Sequence, residues 1–160
     1  MASVKTPWHR ETELFSSGTE GYHTFRIPSV AVANDGTILA ICEGREDGQD
    51  DYEAKALVVK RSTDNGATWG DLQLIVSDPE LTMNNPTVVV DRQTGTIWLA
   101  YCKTAYFPYV VRSDDSGASV QPPLCQQQLD QFCPSLKFLI LIPLVVCPSK
   151  NQLTISNFFF

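Results

Sequence analysis

Ser62-Thr63-Asp64-Asn65-Gly66-Ala67-Thr68-Trp69 and, 51 residues further on (113 less 62), Ser113-Asp114-Asp115-Ser116-Gly117-Ala118-Ser119-Val120 share the frame S-x-D-x-G-x-[ST]. The chemistry of this frame is that of a hairpin turn. Its Asp carboxylate accepts N–H bonds from the turn, its Gly takes a positive φ, and Trp69 offers an indole to pack between neighbouring sheets. Asp64 therefore reads as a structural residue and not as a catalytic acid. A period of about 50 residues is that of one blade of a β-propeller.

Outward from these hairpins, the chain between Thr24 and Val111 breaks into short apolar runs, rich in β-branched residues and separated by turn signals, which predicts strands and not helices. Residues 27–32 lead into Asn34-Asp35-Gly36, a strong hairpin turn, and residues 37–43 return. A third strand follows over 56–61 and, after the turn at Asp64-Asn65-Gly66, a fourth over 72–76. The order then repeats as 87–90, a turn over Asp91-Arg92-Gln93-Thr94-Gly95, 96–101 and 109–113. Four strands per unit, recurring, predict an all-β chain built of propeller blades.

The 160 residues include 12 Lys or Arg against 18 Asp or Glu, a net charge of −6 with a pI near 4.8. This length bounds the chain to one domain. A chain that repels polyanions is a poor binder of phosphate backbones, so no nucleic-acid partner is expected. An apolar content of 43% fills a core, but the average hides a break. All 9 Gly and all 3 Trp precede residue 118, and residues 121–160 hold only Asp130, Lys137 and Lys150 as charges. Residues 1–19 read as a lead-in, 20–118 as blades, and 119–160 as a divergent, non-native tail, with a packed C-terminal extension as the other reading. The tail's apolar run, residues 138–147, is about half of the roughly 20 residues a spanning helix needs and contains Pro143, so no spanning segment is expected. Five Cys without C-x-x-C spacing and two histidines, His9 and His23, point to neither a metal site nor a disulfide framework. No apolar leader follows Met1, which makes the cytoplasm the default location and leaves lysosomal or membrane-associated placement open.

Phe25-Arg26-Ile27-Pro28, then Glu43-Gly44-Arg45 at a strand end, then an Asp-rich loop, then residues 62–69 as an Asp box together resemble the exo-α-sialidases (neuraminidases) over about residues 20–118. The box alone (Ser62, Asp64, Gly66, Thr68, Trp69) is common in propellers, whereas the combination at these spacings is specific. Asn84-Asn85-Pro86-Thr87 is similar to the opening of that family's second blade. The resemblance implies a six-bladed propeller, represented here by about its first two blades and an unrelated C-terminal tail. It also implies a glycoside hydrolase that removes terminal α-ketosidic sialic acid from glycoproteins, oligosaccharides and gangliosides with retention. Sialylated glycans are the implied substrate, and no cofactor is implied.

Sialic acid carries a carboxylate on its anomeric carbon, and planar guanidinium forks hold a carboxylate bidentately. The resemblance places Arg26 in the family's carboxylate-binding arginine triad. A carboxylate nucleophile would be repelled by the substrate's own charge, and sialidases use a Tyr instead, activated by a Glu. In that family an Asp on the loop after the second strand acts as general acid and then as base, which the resemblance carries to this chain. That loop reads Glu46-Asp47-Gly48-Gln49-Asp50-Asp51-Tyr52-Glu53, and counting back from Arg61-Ser62 selects Asp51, or Asp50 if the register is off by one. Arg45 and Asn85 match positions that line the sugar pocket near its ring hydroxyl and N-acyl groups. Plainer readings stand beside these: Arg26 as a paired strand-end cation, Arg45 as a solvated loop cation, Asp50-Asp51 as a solvated turn, and Asn85 as a turn former before Pro86. Tyr101, Tyr106 and Tyr109 read as core or rim aromatics.

The family's other two arginines, its activating Glu and its nucleophilic Tyr come from later blades. Here no Arg follows Arg112, and residues 121–160 contain no Tyr and no Glu. The expectation is a sialidase-family chain that is an inactive fragment. The alternative is a non-catalytic Asp-box propeller module that binds carbohydrate or serves as a scaffold, and Arg26 in its Phe-Arg-Ile-Pro setting counts against it.

Overall fold

The structure, a computed structural model, describes residues 11–104, 107–125 and Gln128. His9, Tyr106, Cys133, Cys147, the apolar run at 138–147 and the rest of the expected tail beyond Gln128 lie outside the described residues.

Among the described residues eight strands follow one another: β1 (Thr24–Val32), β2 (Ile38–Arg45), β3 (Lys55–Ser62), β4 (Gln73–Val76), β5 (Met83–Val90), β6 (Ile97–Lys103), β7 (Phe107–Ser113) and β8 (Leu124–Cys125). They form two four-stranded antiparallel sheets, β1-β2-β3-β4 and β5-β6-β7-β8, each strand bonded to its neighbour in sequence. Side chains alternate between faces along a strand, and the two sheets bury one face of each against the other. Leu39 and Ile41 of β2, Leu57 and Val59 of β3, Met83, Leu99, Tyr101 and Val111 meet in that core. The opposite face of the first sheet, with Cys42, Ala56 and Val58, is closed by Phe15, Tyr22, Phe25 and Leu72. Both faces of β2 and β3 are therefore covered, which is why their apolar residues run almost without interruption. This is the stacking of successive propeller blades, as the four-strand repeat predicts.

The two S-x-D-x-G hairpins carry one hydrogen-bond network twice. Thr68 donates its N–H to Asp64 Oδ1 (2.8 Å) and its hydroxyl to Asp64 Oδ2 (2.7 Å), while Gly66 N–H donates to Ser62 Oγ (2.8 Å). Ser119 does the same for Asp115 (2.9 and 2.6 Å), and Gly117 N–H donates to Ser113 Oγ (2.9 Å). Both central residues of each turn have positive φ: Asn65 58° and Gly66 82°, Ser116 56° and Gly117 79°. The second hairpin also docks on the first sheet. Arg61 Nε donates to Ser116 O (3.1 Å), and a Cβ at Gly117 would collide with Leu39 Cδ2.

A second repeated device lies at the other end of the strands. β1 bulges between Arg26 and Ser29, and β5 bulges between Asn84 and Thr87. In each, the residue before the proline is left-handed: Ile27 at φ 54° and Asn85 at φ 56°. Such a conformation costs a β-branched residue about 1–3 kcal/mol and persists only where the surroundings impose it.

Three details differ from the sequence reading. The strands run further toward the bulged end: β1 begins at Thr24, β2 continues to Arg45, and β5 begins at Met83. Polar residues fill these extensions and hide them from an apolar-run criterion. The second sheet also crosses the boundary drawn at residue 118, since β8 pairs Leu124 with Val110 and Cys125 with Tyr109. Trp69 does not sit between the sheets. It is half-buried over its own turn, where a Cβ at Gly66 would meet its Cζ2 and Ile38 Cδ1, each at 3.9 Å.

Candidate functional site

Thr24 pairs with Arg45, and Arg45 with Lys55, so the start of β1, the end of β2 and the start of β3 lie at one end of the first sheet. Ser62 closes β3 at the other end, roughly 23 Å away at about 3.3 Å per residue. Asp64 is thereby separated from any chemistry at the first end. At that first end a set of charges converges on the loop joining β2 to β3.

Arg26 stands on the β1 bulge with its side chain 40% exposed, and its Nη1 lies 3.3 Å from both Asp51 Oδ1 and Gln49 O. A bulge re-aims the side chain next to it, and here it turns the guanidinium toward the loop. Arg45 Nη2 donates to the same Asp51 Oδ1 at 2.8 Å. The two guanidinium groups hold the Asp51 carboxyl below the usual carboxylate range, the Arg45 hydrogen bond being the largest cause. Asp50 faces elsewhere, its Oδ1 accepting the Tyr52 N–H at 2.9 Å to stabilise the turn. Of the two candidate acids, Asp51 is the one brought to the arginines.

The resemblance assigns Arg45 to the pocket wall, and in the structure its side chain is buried. Arg45 is 1% exposed, and its donors are used inward: Nε and Nη2 to Glu43 Oε2 (3.2 and 2.7 Å), Nη1 to Gln49 O (2.6 Å) and Asp50 O (3.1 Å), and Nη2 to Asp51. Burial works against its charge, and the bonds to Glu43 and Asp51 outweigh it, so the guanidinium is held more firmly protonated. Asn85 is half-buried, and its N–H donates to Glu43 Oε1 at 2.9 Å.

Three members of the cluster escape sequence reasoning. Glu43 is 1% exposed and bridges Arg45 to Asn85. Lys55 is 2% exposed, its Nζ donating to Asp51 O (2.7 Å) and Asn84 Oδ1 (2.6 Å) and lying 3.8 Å from Glu43 Oε2. Burial pushes the Lys55 pKa down. Asn84 completes the set from β5, its Nδ2 donating to Thr82 Oγ1 at 2.7 Å. The available signal was a charge abutting an unbroken apolar run, Ile41-Cys42-Glu43 and Lys55-Ala56-Leu57-Val58, since a charge there is buried with the strand and needs a partner.

Three cations, Arg26, Arg45 and Lys55, thus face two carboxylates, Glu43 and Asp51. The only guanidinium of the three cations with much solvent exposure is Arg26, beside a carboxylate that solvent also reaches, Asp51 at 67%. An exposed guanidinium is a group that can pair with a carboxylate, and here an exposed carboxylate oxygen already lies beside it.

Two stacked four-stranded blades with a buried charged cluster at one strand end define a β-propeller type of protein. The comparisons narrow this. The chain is 38% identical over 96 residues to a sialidase of Micromonospora viridifaciens, covering 58% of this chain and 15% of that protein. It is 37% identical over 121 residues to an exo-alpha-sialidase of Arthroderma benhamiae, covering 66% of this chain and 30% of that one. Among solved structures, a Hadza microbial sialidase matches with a TM-score of 0.63 at 23% identity, over 68% of this chain and 27% of its own. The Trypanosoma rangeli sialidase solved with sialic acid matches with a TM-score of 0.52 at 24% identity, over 68% and 21%. No protein-family model matches. These similarities support assignment of the chain to the exo-alpha-sialidase family. The chain spans 15–30% of the length of these curated relatives.

Proposed function

We propose that these residues form the first part of an exo-α-sialidase site, in which Arg26 binds the sialic acid carboxylate and Asp51 acts as general acid and then base on the glycosidic oxygen. The complete enzyme of which such a site is part would hydrolyse terminal α-ketosidic sialic acid from glycoproteins, oligosaccharides and gangliosides. The observation that carries this reading is the exposed Arg26 guanidinium 3.3 Å from the exposed Asp51 carboxylate, with a buried arginine fixing that carboxylate from behind. Without a ligand, the arginines keep Asp51 ionised, which suits a base and not an acid. A substrate carboxylate on Arg26 would take one cation away from Asp51 and add a negative neighbour, and both changes move its pKa back up toward protonation. Arg45 and Glu43 hold the loop while this exchange takes place, and the hairpin residues Ser62, Asp64, Gly66, Thr68 and Trp69 act as an Asp box that fixes the far end of the blade.

The 160-residue chain itself is expected to bind and not to turn over, because the resemblance implies that the nucleophilic Tyr, its Glu and two further arginines come from later blades. Hydrogen bonds to charged groups are worth about 1.5–3 kcal/mol each, so a single fork holds a carboxylate only at about the millimolar level. The test is chemical-shift titration of the chain with N-acetylneuraminic acid and with its methyl ester. Saturable shifts at Arg26 and Asp51 with the acid, absent with the ester and lost in Arg26→Ala, are expected. Equal responses to acid and ester would sink the assignment. Fluorophore release from an α-sialoside above a buffer blank, abolished by Arg26→Ala, would refute the expected inactivity.

A further inference from the structure

Lys55 is the least expected member of the cluster. A buried ammonium is costly unless its donors are used, and here each contact of the Lys55 ammonium has a direction. One bond goes to the backbone of the loop, at Asp51 O (2.7 Å), and one to the neighbouring blade, at Asn84 Oδ1 (2.6 Å), with Glu43 Oε2 at 3.8 Å as counter-charge. Glu43 makes a parallel link, since its Oε1 accepts the Asn85 N–H and its Oε2 accepts from Arg45. The loop carrying Asp51 is therefore fastened from behind to β5, which belongs to the other sheet.

We propose that Lys55 is a positioning residue for Asp51, tying that residue's own carbonyl to Asn84 so that the second blade sets where the Asp51 carboxylate stands against Arg26 and Arg45. Lys55 touches no substrate in this arrangement and acts through the loop. Its ammonium serves better than an apolar side chain, because only a donor with several N–H groups can join a carbonyl of one blade to an amide oxygen of the next. The inference rests on the reading of Asp51 as the acid/base.

The experiment uses the 160-residue chain, following amide hydrogen exchange over residues 49–52 and the carboxyl titration of Asp51, whose signal Asp51→Asn assigns. The charged groups that face Asp51 are Arg26 of β1, Arg45 of β2 and Lys55 of β3, with Glu43 behind them. Lys55→Met removes a cation and would raise the Asp51 midpoint through charge alone, so Asn84→Ala is the deciding variant, since it leaves every charge in place. It is expected to speed exchange over 49–52 roughly tenfold or more and to move the Asp51 midpoint upward. The Asp64 midpoint, set by its own turn near 2, is expected to stay. Unchanged exchange and an unchanged Asp51 midpoint in Asn84→Ala would overturn the proposal. Should that variant not fold, Lys55→Arg against Lys55→Met decides: Arg keeps charge and donors and should keep slow exchange, Met should not, and equal exchange in both overturns it. A chain that binds N-acetylneuraminic acid normally yet shows no loop response refutes this inference alone, whereas loss of carboxylate-dependent binding refutes the site reading beneath it.

Discussion

At the scale of single residues, the carboxylates of the structure divide by what holds them. Asp64 is drawn down to about 2 chiefly by the Thr68 hydroxyl and N–H, and Asp115 to about 2 by those of Ser119. A carboxylate whose folded pKa lies below its unfolded value of about 3.9 stabilises the fold fully above that value and loses its contribution as pH falls through the folded pKa. Thermal midpoints of the chain should therefore drop between about pH 4 and about pH 2. Asp64→Asn should lower the midpoint at neutral pH and flatten that acid limb, and a limb equally steep in the variant would contradict the assignment. Gly44 poses a different demand. A Cβ there would stand 2.7–3.0 Å from the Tyr22 ring, which packs with Phe25 at a centroid distance of 5.5 Å. Gly44→Ala should destabilise by about 1–3 kcal/mol in urea titrations, with most of the loss recovered when Tyr22 is also replaced by Leu. Cys42 beside it is chemically quiet, since burial, with the Glu43 charge adding, pushes its thiol up to about 12.

At the scale of elements, what composition could reveal was decided by how much apolar pattern each strand carries. Residues 37–43 and 56–61 are legible because apolar residues run along both their faces, residues 96–101 because buried and half-buried positions alternate, and the turns at Gly36, Gly66 and Gly95 because each needs a positive φ, here 89°, 82° and 80°. Glu43, Arg45, Lys55 and Asn84 were harder to place, because a buried polar cluster leaves no periodicity in sequence and is visible only once β2, β3 and β5 share an end. β8 escaped because two residues carry no pattern at all. The family's motifs located Arg26 and Asp51 in the chain, but only the loop geometry separates Asp51 from Asp50. β8 and the completed second hairpin bear on where the fold stops. Truncation after residue 118 removes the two Ser119 bonds to Asp115 and the Leu124 cover over Val110. A chain ending at 118 should melt below one ending at 128, by an amount calorimetry can resolve. Equal midpoints would mark residues 119–128 as dispensable.

At the scale of the whole molecule, the two sheets share a core and a polar seam, so neither is expected to hold its structure alone. Besides Glu43–Asn85 and Lys55–Asn84, Asn34 Nδ2 donates to Arg92 O (3.2 Å) and Arg61 reaches Ser116. Single-tryptophan variants keeping Trp69 of the first blade or Trp98 of the second, with Trp8 replaced by Phe in both, should report one denaturant midpoint. Separated midpoints would show two independent units. The seam also bears on how such a chain comes off the ribosome. The first blade is complete by Val76, yet the ammonium of Lys55 gains its second short bond, and Glu43 Oε1 its donor, only from Asn84 and Asn85. While the nascent chain ends short of these asparagines, the first blade holds charges it cannot bury without loss, and it stays loose at that end. Emergence of β5 is then the step that locks the earlier blade, so slowing translation while β5 is still inside the ribosome and the first blade is already out would prolong a half-formed state that chaperones and proteases can engage.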